Sequence, residues 1–99
     1  MAELDPHVHQ PTRLRILMLL SGVDSADFNF FLHTLGLTKG NLSSHMARLE
    51  QVGYVEVAKS FNGKIPNTSY TITRLGRTSL KSYWRAIDEI RHPADTSER

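Results

Sequence analysis

Residues 38–55 read T-K-G-N-L-S-S-H-M-A-R-L-E-Q-V-G-Y-V. Placed at 100° per residue with Thr38 as N-cap, the segment has two unlike faces. Leu42, Met46, Leu49 and Gly53 fall within one narrow arc, the pattern of a helix face that packs on a core. Gly40, Ser44, Ala47, Arg48 and Gln51 fall opposite, small and polar, with one arginine and no acid at the centre. Small outward residues let a helix approach another surface closely, and the DNA major groove admits one α-helix.

The flanking segments extend this pattern in both directions. Upstream, Asp27 is suited to cap a short helix running to about Leu35, with Phe28, Phe31, Leu32 and Leu35 on its apolar side. Gly36 fits the stop, and G-L-T is a turn short enough to join two helices. Val23 to Ala26 reads as a linker. Further upstream, P-T-R-L-R-I-L-M-L-L-S-G predicts a core helix, with Pro11 in its first turn and Gly22 at its end. Met1 to Gln10 is expected to be frayed at first, with Leu4 and Val8 available to pack.

Downstream, Y-V-E-V-A-K-S-F alternates as a strand does, with Val55 and Val57 on one side. Asn62-Gly63 is a strong turn dipeptide. Pro66 argues against a regular strand at that point, so T-S-Y-T-I-T is read as the return strand and Lys64 and Asn67 are placed in the loop. Thr73 is the expected cap of a last helix that ends at His92-Pro93. Leu80, Tyr83, Trp84, Ile87 and Ile90 form its apolar stripe, and Leu75 and Leu80 are the residues expected to cover the core. The polar tail 93–99 is expected to be flexible. The expected fold is therefore mainly α with a small antiparallel β-hairpin. It is a winged helix-turn-helix in one domain, with a core at about 4–72 and a C-terminal helix at about 73–92.

Charge is unevenly spread. The chain of 99 residues carries a net +2. Residues 37–85 hold eight Lys/Arg against Glu50 and Glu56, a net +6, while 1–36 and 86–99 each carry −2. A basic middle segment is the distribution expected of a surface that faces phosphates. Lys39 opposes the helix dipole, which suits a phosphate contact better than a structural role. Gly40 costs about 1 kcal/mol of helix stability relative to Ala, and close approach to DNA would account for it. Ser43 and Ser44 are either simply small or hydroxyl donors to DNA. His45 flanks the apolar arc, where a packed, hydrogen-bonded ring competes with base contact.

Other chemistries find little support. With no cysteine in the chain, disulfides and thiolate metal sites are excluded. His7-x-His9, read as extended, points two rings to one side, but no helical histidine pair or companion carboxylate is apparent, so no metal or other cofactor is expected. There is no glycine-rich phosphate loop and no G-x-S-x-G turn, so no enzymatic activity is expected. The longest apolar run, Ile16 to Leu20, is too short to span a bilayer. The N-terminus lacks the pattern of a secretory signal, and a cytoplasmic location is expected.

The run L-T-K-G-N-L-S-S-H-M-A-R-L-E-Q-V-G-Y-V resembles the reading helix of MarR/ArsR-like winged-helix transcriptional regulators. F-N-G-K-I-P-N-T-S-Y-T-I-T-R-L-G-R is similar to the wing and following helix start of a small one-domain branch of that group. P-T-R-L-R-I-L-M-L-L is similar to its first core helix. Together these cover roughly residues 4–90. The resemblance implies a homodimeric regulator, expected to be a repressor, on a pseudo-palindromic duplex. It implies Lys39, Asn41, Ser43, Ser44, His45 and Arg48 as the reading helix, and Asn62, Gly63 and Lys64 as the wing tip; Gly40 joins the expected DNA-binding residues through the close approach argued above. Leu80, Tyr83, Trp84, Ile87 and Ile90 are the expected dimer contacts. A protein-interaction module and a ligand- or histidine-metal-responsive sensor are the rival readings.

Overall fold

Four side-chain caps set where the helices begin. In a computed structural model, which describes residues 3–92, the first helix α1 spans Pro11–Ser21. Pro11 occupies its first turn, and the Gln10 side chain accepts from Arg13 N at 2.7 Å. Helix α2 spans Phe28–Leu35, and Asp27 caps it by accepting from Phe30 N at 2.8 Å. Gly36 stops α2 at φ 64°, a left-handed conformation that glycine adopts without penalty. Helix α3 spans Lys39–Gln51, with Thr38 Oγ1 accepting from Asn41 N at 3.1 Å. Helix α4 spans Arg74–Arg91, with Thr73 Oγ1 accepting from Gly76 N at 2.9 Å.

Three antiparallel strands lie in the order β1-β3-β2. Strand β1 is only Ala26–Asp27, β2 is Val55–Asn62 and β3 is Ile65–Ile72. The segment read as a linker thus ends in a strand, because Ala26 and Asp27 pair with Tyr70 and Ser69. Two residues are too few to show any periodicity. The hairpin also differs from expectation. Asn62 pairs with Ile65, so the loop is Gly63-Lys64, with Gly63 at φ 68°. Strand β3 runs straight through Pro66, and Asn67 lies within it opposite Ser60. Pairs alternate between hydrogen-bonded and non-hydrogen-bonded along a hairpin. Asn62–Ile65 closes a two-residue loop, so Phe61–Pro66 is a pair in which no proline N–H is needed. Beyond Ser69 no strand among the described residues flanks β3 on the β1 side, and Pro66 turns its nitrogen to that edge.

The core joins all the elements. Ile16, Leu17, Leu20, Phe31, Leu42, Leu49 and Val8 are fully buried, with Met46, Val55, Tyr70, Ile72, Leu80 and Tyr83 beside them. Burying each of these large side chains is worth about 1.5–3 kcal/mol. Val8 is pinned rather than frayed: residues 5–9 form a turn in which Val8 N and His9 N donate to Asp5 O. Tyr54 Oη donates to the Asp5 carboxylate and anchors the same turn.

Helix α4 packs along Gly76, Leu80, Tyr83 and Ala86, not along Leu75. Leu75 is 53% exposed, contrary to its expected place over the core. The reason is Gly76. Tyr54 O accepts from Thr73 N at 3.0 Å, and Thr73 Oγ1 donates to Gly53 O at 2.6 Å. This brings the start of α4 so close to the turn after α3 that a Cβ on Gly76 would overlap Tyr54 O and sit 2.9 Å from Ile72 Cγ1. A glycine therefore holds the inward position, and Leu75, one residue back, turns outward. The tail beyond His92 lies outside the described residues.

Candidate nucleic-acid interface

The front of α3 is exposed among the described residues. Leu42, Met46 and Leu49 face inward, while Lys39, Gly40, Asn41, Ser43, Ser44, Ala47 and Arg48 are exposed. Added bulk at Gly40 would meet nothing within 4 Å. Among the described residues the one salt bridge is Arg91–Asp88, at the far end of α4. No described carboxylate thus lies within ion-pair distance of Lys39, Arg48, Lys59 or Lys64.

His45 is half-buried at the flank of this face. Its Nδ1 accepts from Arg13 Nη1 at 3.2 Å. The same guanidinium donates through Nε to His7 O at 2.8 Å and through Nη2 to Pro6 O at 3.3 Å. Arg13 ties the N-terminal turn, α1 and α3 together. Burial, then the neighbouring charge of Arg13, holds the His45 pKa below the ordinary histidine value. A neutral ring with Nδ1 accepting carries its proton on Nε2, which leaves His45 as a donor on that side. Burial, then repulsion from Arg48, lowers the pKa of Arg13. Arg13, His45 and Arg48 form one basic group at the edge of the α3 face.

Arg13 is the site residue that the reading from sequence missed. A signal for it was present. Arg13, Ile16, Leu17 and Leu20 share i, i+3, i+4, i+7 spacing, which puts an arginine in line with the core face of α1. A cation in that line needs partners, and His7, Pro6 and His45 supply them.

The hairpin forms the second part of the site. Its face bearing Val57, Lys59, Thr68 and Tyr70 meets Ser43, Met46 and Ala47 of α3 across a groove of about 350 Å³. Lys59 thereby joins the α3 surface. Asn62, Gly63 and Lys64 lie at the outer end, exposed, and Asn62 ends β2 rather than lying in the loop. Between Glu56 and Asp88 the sequence contains no acid, so the hairpin beyond Glu56 and most of α4 are uniformly basic or neutral.

The stripe on α4 divides. Leu80 and Tyr83 belong to the chain's own core, which corrects their expected role as dimer contacts. Tyr83 Oη is hydrogen-bonded to His9 Nδ1 at 2.9 Å. Ile87 is half-buried against the core, Trp84 is 40% exposed and Ile90 is 56% exposed. Ile90 follows the line of Tyr83 but lies further along the helix, where the core has ended. Trp84 packs edge-on against Tyr83, with ring centroids 5.4 Å apart.

His7 and His9 lie in a turn, not an extended segment, and among the described residues no group of three or more potential metal ligands occurs. Among the same residues no helix is long and apolar enough to cross a membrane.

The family model described as winged helix DNA-binding domain matches residues 12–90. An uncharacterized protein of Methanocaldococcus jannaschii is 42% identical over 72 residues, which is 72% of this chain and 77% of that protein. The structure of a transcriptional regulator homologue from Pyrococcus horikoshii superposes with a TM-score of 0.81 at 30% identity, over 91% of this chain and 89% of that one. A MarR mutant from E. coli, solved in complex with operator DNA, shares the fold at 17% identity and TM-score 0.68, over 79% of this chain and 55% of that one. The α3 face, the hairpin beside it and the match over residues 12–90 agree: the chain belongs to the winged helix DNA-binding domain family.

Proposed function

We propose that the chain is a homodimeric, sequence-specific regulator of transcription, binding a pseudo-palindromic duplex and repressing by occupying it. The observation that carries this reading is the exposed, acid-poor front of α3, whose cations have no carboxylate within ion-pair distance among the described residues. Helix α3 enters the major groove. Asn41, Ser43, Ser44 and the His45 Nε2–H meet base edges or phosphates, Arg48 meets guanine or phosphate, and Lys39 meets phosphate. Gly40 allows the close approach. Asn62, Gly63 and Lys64 carry the wing to the neighbouring backbone. The chain acts as a single domain, in which a core of about 4–72 is followed by a dimerisation helix of about 73–92.

The dimer contact is the part of α4 that outruns the core: Trp84, Ile87 and Ile90. Their exposed area is covered when two such helices pair, and a two-fold axis then sets two α3 helices about one turn of DNA apart. The Pyrococcus horikoshii neighbour, described as a transcriptional regulator homologue, supports the regulatory role.

The test is salt-dependent duplex binding. Lys39, Arg48, Lys59 and Lys64 in two copies give about eight phosphate contacts, hence a log–log slope of about −7 and roughly a 10⁴-fold loss between about 50 and 200 mM salt. A flat salt response, or no duplex binding at low salt, defeats the reading. Light scattering of the native chain and of Ile90→Glu tests the dimer. Ile90 is exposed, so the variant keeps its fold and is expected to be monomeric. A dimeric variant, or a monomeric native chain at tens of micromolar, rules out this dimer contact.

A further inference from the structure

The outer end of the hairpin carries more apolar surface than its fold uses. Phe61 is 73% exposed and Ile65 is 69% exposed. The rungs just below are polar: Lys59 pairs with Thr68 and Ser60 with Asn67. The last two rungs, Phe61–Pro66 and Asn62–Ile65, each carry a large apolar side chain, one on each face of the ribbon. Strand propensity alone would favour such residues anywhere in the ribbon, yet outside the core-packed base they occur only at the tip.

The surroundings of the tip identify what covers it. Lys59 and Lys64 flank it, and no acid occurs between Glu56 and Asp88. Phe61 shares its ribbon face with Lys59 and Val57, the face that meets Ser43 and Ala47 of α3. The apolar tip is therefore continuous with the α3 surface; Glu50 lies at the base of that groove, and the charged side chains next to the tip in the ribbon are Lys59 and Lys64. Seven residues of strand carry the tip about 23 Å from Val55. Half a turn of DNA is roughly 17 Å, so a ribbon anchored beside a helix in the major groove reaches the next minor groove.

We propose that the wing tip is an apolar wedge for the minor groove: Phe61, backed by Pro66, presses against a base step and partly unstacks it, Ile65 on the opposite face of the ribbon packs against the groove wall, and Lys59 and Lys64 hold the flanking phosphates. This rests on the duplex-binding reading above. Wedges of this kind open a base step and bend the duplex. Pyrimidine–purine steps such as TA and CA/TG yield most readily, so the bound sequence carries such a step where the wing lands, selected by deformability rather than by hydrogen bonds.

The experiment uses the full chain and duplexes of roughly 30 bp enriched from a random pool by binding to it, labelled at both ends for energy transfer and carrying 2-aminopurine at the wing-contacted step. The native chain is expected to shorten the end-to-end distance and brighten the 2-aminopurine. Phe61→Ser with Ile65→Ser is expected to keep the native melting temperature, lose both signals and bind about ten-fold or more weakly. It should keep the native salt slope, whereas Lys64→Ala should reduce it. A native chain that binds without bending or unstacking overturns the wedge, as does a double variant that binds and bends as the native chain does. A double variant that falls from dimer to monomer also overturns it, because the tip is then a contact between copies. Absence of any duplex binding by the native chain is a different result, and it removes the underlying reading itself.

Discussion

Gly40→Ala separates the demands of folding from those of binding at one atom. Gly40 is the second residue of α3, it is not among the positive-φ glycines, and an added Cβ meets nothing within 4 Å. Alanine therefore adopts the native backbone without strain. In a helix interior the exchange is worth about 1 kcal/mol, and so close to the N-terminus about 0.5–1 kcal/mol is expected. For a domain of this size that raises the melting temperature by roughly 2–8 °C. Binding should move the other way. If the α3 backbone lies against DNA at this residue, a methyl group forces the helix outward, and overpacking of that kind costs about 1–3 kcal/mol, or ten-fold and more in affinity. Thermal unfolding followed by circular dichroism and titration of a fluorescent duplex give the two numbers. A variant that is no more stable refutes the argument from open space. A variant that is more stable and binds as tightly as the native chain refutes the close approach of Gly40 to DNA.

Gly76→Ala should do the opposite to the fold: the new Cβ strikes a backbone carbonyl that no rotamer change can move, and a loss of about 2 kcal/mol, or 8–16 °C in melting temperature, is expected. A native melting temperature would show that α4 shifts at no cost. Folding favours neutral His45, so its contribution is full above its ordinary value of 6.5 and is lost as pH falls through the lowered folded value. Between pH 7 and 5 the native chain should therefore lose stability more steeply than His45→Gln, which keeps an acceptor for Arg13; parallel profiles would remove His45 as the cause. Tyr54→Phe deprives the Asp5 carboxylate of a donor and should destabilise by about 1.5 kcal/mol, with faster amide exchange in residues 5–9 as its local signature. Unchanged exchange there would mean that Val8 burial alone holds the turn.

What could be read from the chain and what could not divide along physical lines. Asp27, Thr38 and Thr73 act on amides three residues away, and local rules locate them. The i, i+4, i+7 pattern of Leu42, Met46 and Leu49 is also local, and so is the hairpin. Features that depend on distant partners were less legible. The two residues of β1 are a strand only because Tyr70 and Ser69 lie beside them. Pro66 is tolerated because an open edge faces it. Leu75 reads as a core residue because it is apolar, whereas the inward place belongs to Gly76, which carries no hydrophobic signal. The division of the α4 stripe depends on where the core ends, and no periodicity reports that. Arg13 was overlooked because its partner on α3 is thirty-two residues away, although its place in the α1 stripe marked it.

The fastening of Thr73 and Gly76 to Gly53 and Tyr54 makes the start of α4 a stiff pivot directly behind α3. Eighteen residues of helix form an arm of about 27 Å, so turning it by about 10° at the pivot swings its far end by roughly 5 Å. In an assembly paired through that far end, the same small rotation is imposed on both α3 helices in opposite senses. One base pair advances the duplex by about 3.4 Å, so a movement this small is enough to take the two helices out of step with a fixed pair of half-sites. On the proposed dimer, the fit to its DNA is then a matter of mechanical tolerance at four residues, all of them outside the α3 face.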